Sequence, residues 1–256
     1  MANLPYANIL KRLSNRELIM PYLERSIIAE SWPDTYTITI DSGPYYGAGD
    51  GYFHPSTHPL MGARQLYLMF HPDTKHLMAR EQPTLQREMT LAMGSALHGV
   101  VQTQMEQAGL VRPENVEVEY VNHEHHVRGR IDFIVDHPSG KTIPVEMKTR
   151  THFMFNKQAE ILPSWDAQLS LALDATGHDE GVLLMVESGW PYSIKEFRVP
   201  KNTALLEEIY TKFDYVRHCI ENNTPPLHCC DFNSKEMQAC GARFACWLAP
   251  KEPLHG

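Results

Sequence analysis

The sequence predicts an α/β fold in which a central mixed β-sheet is flanked by helices. Two short apolar runs, 131–135 and 142–147, surround the turn-forming residues 137–140 and predict a β-hairpin. The continuous apolar run 181–187 has the length of a strand and is typical of a central, buried one. Helical periodicity before and after these strands indicates the flanking helices.

The first half of the chain predicts a helical region followed by loops. Residues 1–32 carry apolar residues at roughly helical spacing (Leu10, Leu13, Ile19, Leu23, Ile27), and Pro21 requires a break or a new first turn. Residues 41–62 are rich in Gly, Tyr, His and Pro and predict an irregular loop, after which 64–70 starts the folded core. The segment from Thr90 to Ala108 predicts a helix whose inward stripe comprises Leu91, Gly94, His98, Val101, Met105 and Ala108.

The second half predicts strands and helices in alternation. Residues 115–121 alternate as a strand does, and 122–126 (Asn-His-Glu-His-His) follow it. Adjacent residues of an extended segment face opposite sides, so 122–126 predicts a polar loop or a substrate-facing edge more than a metal cluster. Ser164 is the expected N-cap of a helix that runs to Ala175, and Gly177 its stop. Strand 193–199 and helix 205–220 complete the order.

The hairpin brings charged residues together. Glu146 and Lys148 are two apart and share a face of their strand, and Asp132 on the partner strand can lie beside them. Two adjacent carboxylates repel each other unless a divalent cation lies between them, and an ammonium beside such a cation can orient a water. This is the chemistry of phosphodiester hydrolysis. The alternative is a solvated ladder of ion pairs across the two strands.

The residues that follow the hairpin are of the types that bind nucleic acid. Basic and aromatic residues are interleaved between 149 and 162, and Arg150 and Lys157 are the candidates for contacts with the DNA backbone. On the following helix, Gln168 shares a face with apolar residues that point inward. A buried amide needs polar partners, which a nearby active site could supply.

Composition bounds the class of protein. The 256 residues suffice for one large hydrophobic core. We expect the chain to divide into a helical and irregular region 1–50, a nuclease-like core 51–227 and a Cys-containing segment 228–256 that packs on that core. The chain shows neither a signal peptide nor a membrane span, which predicts a cytoplasmic protein. The net charge of -8 argues against a broad basic coat but permits a local groove for DNA.

All cysteines lie late in the chain, at Cys219, Cys229, Cys230, Cys240 and Cys246. In a cytoplasmic protein this crowding indicates metal binding more than disulfide bonds.

The placed motifs resemble the PD-(D/E)XK nuclease superfamily, and in particular its RecB-like branch of CRISPR-associated and phage-type exonucleases. The resemblance covers roughly residues 50–250 and rests on Gly94-Ser95-Ala96-Leu97-His98, Gly129-Arg130-Ile131-Asp132, Glu146-Met147-Lys148 and Gln168. It implies a restriction-endonuclease-like core. It also implies that His98, Asp132, Glu146 and the Met147 carbonyl bind Mg²⁺ or Mn²⁺, with Lys148 and Gln168 serving hydrolysis.

Two positions depart from the branch. A tyrosine usually follows the glutamine by four residues, and Ala172 stands there. The proline of the superfamily name is Ile131.

The resemblance extends to the cysteines. Many members hold an iron–sulfur cluster through one upstream and three C-terminal cysteines, and Cys240 and Cys246 match the end of that pattern, with Cys229 or Cys230 as the earlier ligand. The upstream ligand would fall within 61–67, where no cysteine occurs. Zn²⁺ and free thiols therefore remain alternatives to a cluster, with Cys219, His228 or His58 available to complete a set.

These features predict a divalent-metal-dependent DNA nuclease, an exonuclease that acts on DNA ends or single strands. Its partners would be DNA and proteins of recombination, replication or DNA processing. A DNA-binding or assembly subunit with the same fold and little cleavage activity is the alternative, motivated by Ala172 and the missing upstream cysteine. A sequence-specific restriction endonuclease fits less well, since such enzymes often lack the inward histidine.

Overall fold

The protein is described from a computed structural model, which covers residues 17–29, 34–38, 50–78 and 84–248. The helices are α1 (Met20–Ile28), α2 (Ala63–Phe70), α3 (Leu85–Gln107), α4 (His152–Lys157), α5 (Pro163–Thr176), α6 (Thr203–Glu221) and α7 (Lys235–Ala239). The strands are β1 (Val116–Asn122), β2 (Val127–Asp136), β3 (Thr142–Arg150), β4 (Glu180–Glu187) and β5 (Ile194–Pro200).

The strands form one mixed sheet in the order β1-β2-β3-β4-β5. β3 and β4 are parallel and are connected through α4 and α5, whereas the other neighbouring pairs are antiparallel. The predicted α/β fold and its central hairpin of β2 and β3 are confirmed. β4 is buried along its length except at its first residue, as its continuous apolar run predicts.

Helices cover both faces of the sheet. On one face, α1 and α3 pack against a cluster that includes Met105, Phe133 and Met147. On the other face, α2, α5 and α6 enclose a second cluster around Phe53 and Phe213. Burial of these two apolar layers is the main force that holds the sheet between its helices.

The sheet is irregular at Asp132. The ladder between β2 and β3 ends at the pair Phe133 and Val145. Ile131 and Phe133 would share a face in a regular strand, yet they belong to clusters on opposite sides of the sheet. On the neighbouring strand β1, the residue opposite Asp132 is Glu117, which has a left-handed φ of 50°. β2 therefore changes face at Asp132 and separates there from β3.

Two local predictions were wrong. Ser164 does not cap α5, because Pro163 occupies the first turn and the N-cap is Leu162; proline lacks the N–H that a cap would bind. Leu91 does not face inward: it is 46% exposed, since the N-terminal turns of α3 extend beyond the sheet. Leu10, Leu13 and residues 41–49 lie outside the described residues.

Among the described helices, none combines the length and apolarity that crossing a bilayer requires. The segment after residue 228 contacts the core, since Ala242 is buried in the cluster around Phe53. The division into 1–50, 51–227 and 228–256 stays a prediction.

Candidate active site

Asp132 lies in the gap where β2 leaves β3. Its Oδ2 atom accepts a hydrogen bond of 2.7 Å from the backbone N–H of Met147, which replaces a ladder bond between the strands. Its Oδ1 atom lies 3.7 Å from Nδ1 of His98, which reaches the gap from α3. The carboxylate thus links the two strands and the helix at the point where β2 changes face.

Glu146, Lys148 and Gln168 form a closed set of hydrogen bonds. The Lys148 ammonium donates to Glu146 Oε1 at 2.7 Å and to Gln168 Oε1 at 2.8 Å. The Gln168 amide donates to the same Glu146 oxygen at 2.6 Å. Gln168 faces β3 because α5 packs on that side of the sheet. The buried Gln168 amide thus has Glu146 and Lys148 as its polar partners.

Burial and repulsion destabilise the negative charges. Burial and the neighbouring Asp132 charge raise the pKa of Glu146 to about 7, although Lys148 acts in the opposite direction. Burial also raises the pKa of Asp132, against the effects of Lys148 and the Met147 N–H. Burial lowers the pKa of Lys148, but attraction to Glu146 and Asp132 outweighs it, so the net shift is upward and the ammonium stays charged.

His98 is the third member that the sequence proposed. Its side chain is 33% exposed, and burial lowers its pKa, which leaves a neutral imidazole that can donate a lone pair. The structure therefore brings together an imidazole, two carboxylates and an ammonium from α3, β2 and β3.

The chemistry of this donor set fits a divalent cation. A buried and a partly buried carboxylate with raised pKa values are stabilised when a cation neutralises them, and oxygen donors with an imidazole suit Mn²⁺ and Mg²⁺. As they stand, no three His, Cys, Asp or Glu side chains in the described part of the chain are close enough to enclose an ion. Glu146 is bound to Lys148 and Gln168 instead, so a cation would compete with these two partners.

The sequence analysis did not propose two residues that lie near the site, Glu117 and Tyr120. The negative charge of Glu117 acts to raise the pKa of both His98 and Asp132, and its Oε2 atom lies 3.1 Å from Nη1 of Arg130. Glu117 is the second residue of β1 and is exposed, and its left-handed φ of 50° departs from regular strand geometry. A charged residue within the first strand was the available signal in the sequence.

Tyr120 is the second missed residue. It is buried, and burial followed by the nearby charge of Glu146 raises its pKa. A Cβ atom on Gly129 would lie 2.5 Å from the Tyr120 hydroxyl oxygen, so glycine is required for this close approach. The G-R-I-D motif therefore contains a glycine that accommodates a tyrosine from β1.

The proposed DNA contacts lie further along the chain. The Arg150 guanidinium lies 4.6 Å from the centre of the Trp165 ring, and Lys157 Nζ lies 3.9 Å from the centre of the Phe153 ring. Residues 122–126 form the β1–β2 turn rather than a metal cluster, with His125 Nδ1 bound to Asp214 Oδ2 at 2.8 Å.

The C-terminal cysteines lie away from Asp132 and Glu146, around α7 and the segment that follows it. Cys246 Sγ accepts a hydrogen bond of 3.2 Å from Arg64 Nε and lies 3.2 Å from His228 Nδ1. A Cβ on Gly62 would lie 2.8 Å from Cys229 Sγ. The segment where the resemblance expects an upstream ligand therefore does lie against the cysteines, without a thiol of its own. Cys219 is buried in the cluster around Phe53, against which Cys240 and Cys246 also pack.

Burial raises the pKa of the Cys246 thiol, while Arg64 lowers it and the charges of Cys230 and Cys240 raise it further. Cys229, Cys230, Cys240 and Cys246 line one small cavity. His58 is buried beside His54 and contacts the rings of Phe53 and Phe70.

Comparisons with known proteins find distant structural similarity alone. No family model and no curated protein matches the sequence. The chain is similar to the alkaline exonuclease LHK-Exo from Laribacter hongkongensis, with 16% identity over 68% of this chain and 89% of that chain and a TM-score of 0.49. The same protein in complex with dAMP gives 18% identity over 69% and 91%, with a TM-score of 0.47.

The structure of SSO0001 gives 16% identity over 88% of this chain and 92% of that chain, with a TM-score of 0.43. All three TM-scores are below 0.5. The interpretation of function therefore rests on the geometry of the site.

Proposed function

We propose that this chain is a divalent-metal-dependent DNA nuclease of the PD-(D/E)XK type, an exonuclease that acts on DNA ends or single strands. One observation carries the proposal: two carboxyl groups with raised pKa values, Asp132 and Glu146, adjoin a charged lysine where β2 separates from β3. A solvated ladder of ion pairs would not bury Glu146 to 4% exposure.

Each residue has a distinct part in hydrolysis. Asp132, Glu146, His98 and the Met147 carbonyl would hold Mg²⁺ or Mn²⁺, a Lewis acid that stabilises the charge developing on the scissile phosphate. The Lys148 ammonium remains charged and can donate hydrogen bonds to the attacking water or to a phosphate oxygen. Gln168 holds that ammonium in place at 2.8 Å. Arg150 and Lys157 would contact the phosphates of the strand.

A cleavage assay tests the assignment. Asp132→Ala, Glu146→Ala and Lys148→Ala are compared with wild type on labelled single- and double-stranded DNA, in Mg²⁺ or Mn²⁺ and in EDTA. We expect each variant to fold and to lose cleavage, and EDTA to abolish wild-type cleavage. Lys141→Ala, in the exposed hairpin turn, is the matched control and should cut normally. Near wild-type cleavage by any site variant would show that the site is misassigned.

The DNA-binding or assembly subunit is the competing function. Ala172 is buried in the apolar cluster around Phe53, so its position offers no hydroxyl to a substrate. Wild-type protein that binds DNA yet shows no metal-dependent turnover would favour this function.

We also propose that the C-terminal cysteines bind a metal, as an iron–sulfur cluster or as Zn²⁺. Cys229, Cys230, Cys240 and Cys246 supply four thiols, and His228 adjoins Cys246. Metal analysis and a visible absorption spectrum of anaerobically purified protein distinguish the two. A broad brown chromophore indicates iron–sulfur, stoichiometric zinc excludes it, and protein with neither metal contradicts the proposal.

A further inference from the structure

Two segments without acidic residues meet at the edge of the sheet where β3 and β4 end. Neither 147–159 nor 188–195 contains Asp or Glu, although the chain has 31 acidic residues. The first segment carries Lys148, Arg150 and Lys157. This edge therefore has a local excess of positive charge in an acidic protein, which favours an anionic ligand.

Hydrogen bonds hold the two segments together. Arg150 on β3 pairs with Glu187 on β4, and the Ser188 N–H donates to the Arg150 carbonyl at 2.8 Å. Glu187 is buried, with one carboxylate oxygen bound to His152 Nδ1 and the other accepting the Ser193 N–H at 3.2 Å. The start of α4 and the loop between β4 and β5 are thus joined through one buried carboxylate.

Both segments expose aromatic rings. Phe153 on α4 is 62% exposed, and Trp190 in the β4–β5 loop is 84% exposed. Lys157 Nζ lies over the Phe153 ring at 3.9 Å, so a cation accompanies the ring. The next aromatic residue of α4, Phe155, is buried and packs beside Trp165 and Leu183, which fixes the helix on the sheet. Large exposed rings beside cations are typical of surfaces that stack nucleobases.

We propose that this surface, comprising Arg150, Phe153, Lys157 and Trp190 and named here the aromatic edge, binds unpaired nucleotides of the strand to be cut. Phe153 and Trp190 stack on bases, and Arg150 and Lys157 contact phosphates. The inference rests on the proposed nuclease function, because Arg150 follows Lys148 by two residues on the same face of β3.

Unpaired nucleotides fit the aromatic edge better than a duplex does. Inside a duplex the faces of the bases are stacked on one another and are closed to protein rings, whereas a single strand or a frayed end exposes them. Stacking tolerates any base, which suits an enzyme that proceeds along a strand. The edge therefore selects the unpaired state of the nucleic acid rather than its sequence.

Binding in EDTA, where no cleavage occurs, tests this proposal. Fluorescently labelled oligo(dT) and a blunt duplex of equal length are titrated with wild type, Phe153→Ala and Trp190→Ala. We expect each substitution to raise the Kd for oligo(dT) by about 5- to 100-fold, the loss of one stacked base, with the duplex Kd unchanged. Trp190→Phe should recover most of the affinity. Tyr215→Ala, which removes an exposed ring on α6, is the matched control and should change neither Kd.

Both side chains are exposed, so these variants should fold as wild type does. Unchanged oligo(dT) affinity, or equal losses for oligo(dT) and duplex, would overturn the aromatic edge. Cleavage is measured separately in Mg²⁺. Intact selective binding without cleavage would overturn the proposed function and leave the aromatic edge standing.

Discussion

The two candidate metal centres differ in how their side chains are held. At the sheet site, Glu146 and Lys148 extend from one strand, and each is bound to the other and to Gln168. At the cysteine site, Cys229 and Cys230 lie on irregular chain before α7, and Cys229 is exposed. Cys240 is the C-cap of α7, and Cys246 lies in the single π-helical turn Phe244–Leu248. Strands in a sheet fix the direction of side chains, whereas irregular chain depends on a bound metal to do so. Glu146, Lys148 and Gln168 are therefore preorganised relative to one another, whereas the thiols are not.

The largest expected effect concerns the charges of the sheet site. Lys148→Met leaves buried Glu146 without its cation, and we expect the free energy of unfolding in EDTA at pH 8 to fall by about 3 kcal/mol. The double variant Lys148→Met/Glu146→Gln lacks the unpaired charge, so it should recover most of the lost free energy of unfolding. Both proteins should lose cleavage by at least about a hundredfold in Mg²⁺. Urea unfolding and the cleavage assay measure the two quantities.

Lys141→Met is the control for the loss of a lysine in the hairpin. If the effects of Lys148→Met and Glu146→Gln on stability were simply additive, the two side chains would not be coupled and the site would not be preorganised.

One contribution to the pH dependence of stability should come from the side of the sheet that carries α2 and the cysteines. Burial lowers the pKa of His58 from 6.5 to about 4, assisted by the charge of His54. Between these values the unfolded chain binds a proton that the folded chain does not, so the contribution of His58 to stability falls by about 3 kcal/mol as pH decreases from 6.5 towards 4. Glu146, whose pKa is raised to about 7, contributes in the opposite direction over the same range, so a His58 variant is needed to isolate the effect.

Urea unfolding of wild type and His58→Gln at pH 7 and pH 4.5 measures the contribution of His58 as the difference between the two pH slopes. His58 accepts the backbone N–H of His54 at 2.7 Å, and the glutamine side chain oxygen can still accept a hydrogen bond. An unchanged pH slope in the variant would show that His58 is not the group responsible.

A smaller effect on activity is expected at the cysteines. Cys246→Ser removes a thiol that contacts Arg64 and His228, and it should lower the bound iron or zinc. Cleavage per folded molecule should stay at the wild-type value, because the sheet site does not depend on that metal. Metal analysis and the cleavage assay on the same preparation check this, with Cys219→Ser as the buried control. Loss of cleavage in Cys246→Ser alone would show that the two centres are not independent.

The smallest expected effect is at Gly94, one turn before His98. A Cβ on Gly94 would lie 3.6 Å from Thr149 Oγ1, an ordinary contact. Gly94→Ala should therefore raise the free energy of unfolding by about 0.5–1 kcal/mol through helix propensity, without loss of cleavage. A large decrease in stability or activity would show that α3 approaches β3 more closely than these distances indicate.

Residue periodicity was sufficient to predict the hairpin, buried β4 and the end of α5 at Gly177, whose φ is 72°. These features depend on local pattern and turn chemistry. The face change at Asp132 and the left-handed Glu117 could not be predicted, because both arise from the separation of β2 and β3 in the assembled sheet. The prediction that Leu91 faces inward was wrong for a similar reason, because a stripe of apolar residues does not show which turns of the helix pack on the sheet.

The arrangement of the candidate residues was predicted in part. Spacing placed Glu146 and Lys148 together, and the family resemblance added His98 and Gln168. Neither source of information pointed to Tyr120 or Glu117, whose positions depend on the register between β1 and β2. The pattern of a single strand shows which of its residues share a face, but it does not show which residues of the neighbouring strand lie beside them.

The contact between Tyr120 and Gly129 has an evolutionary consequence. Since any β-carbon at position 129 would collide with the phenol, the two positions should vary together among relatives of this chain. Lineages that keep the aromatic ring must keep glycine opposite it, and a larger residue at 129 should appear only where residue 120 has become small.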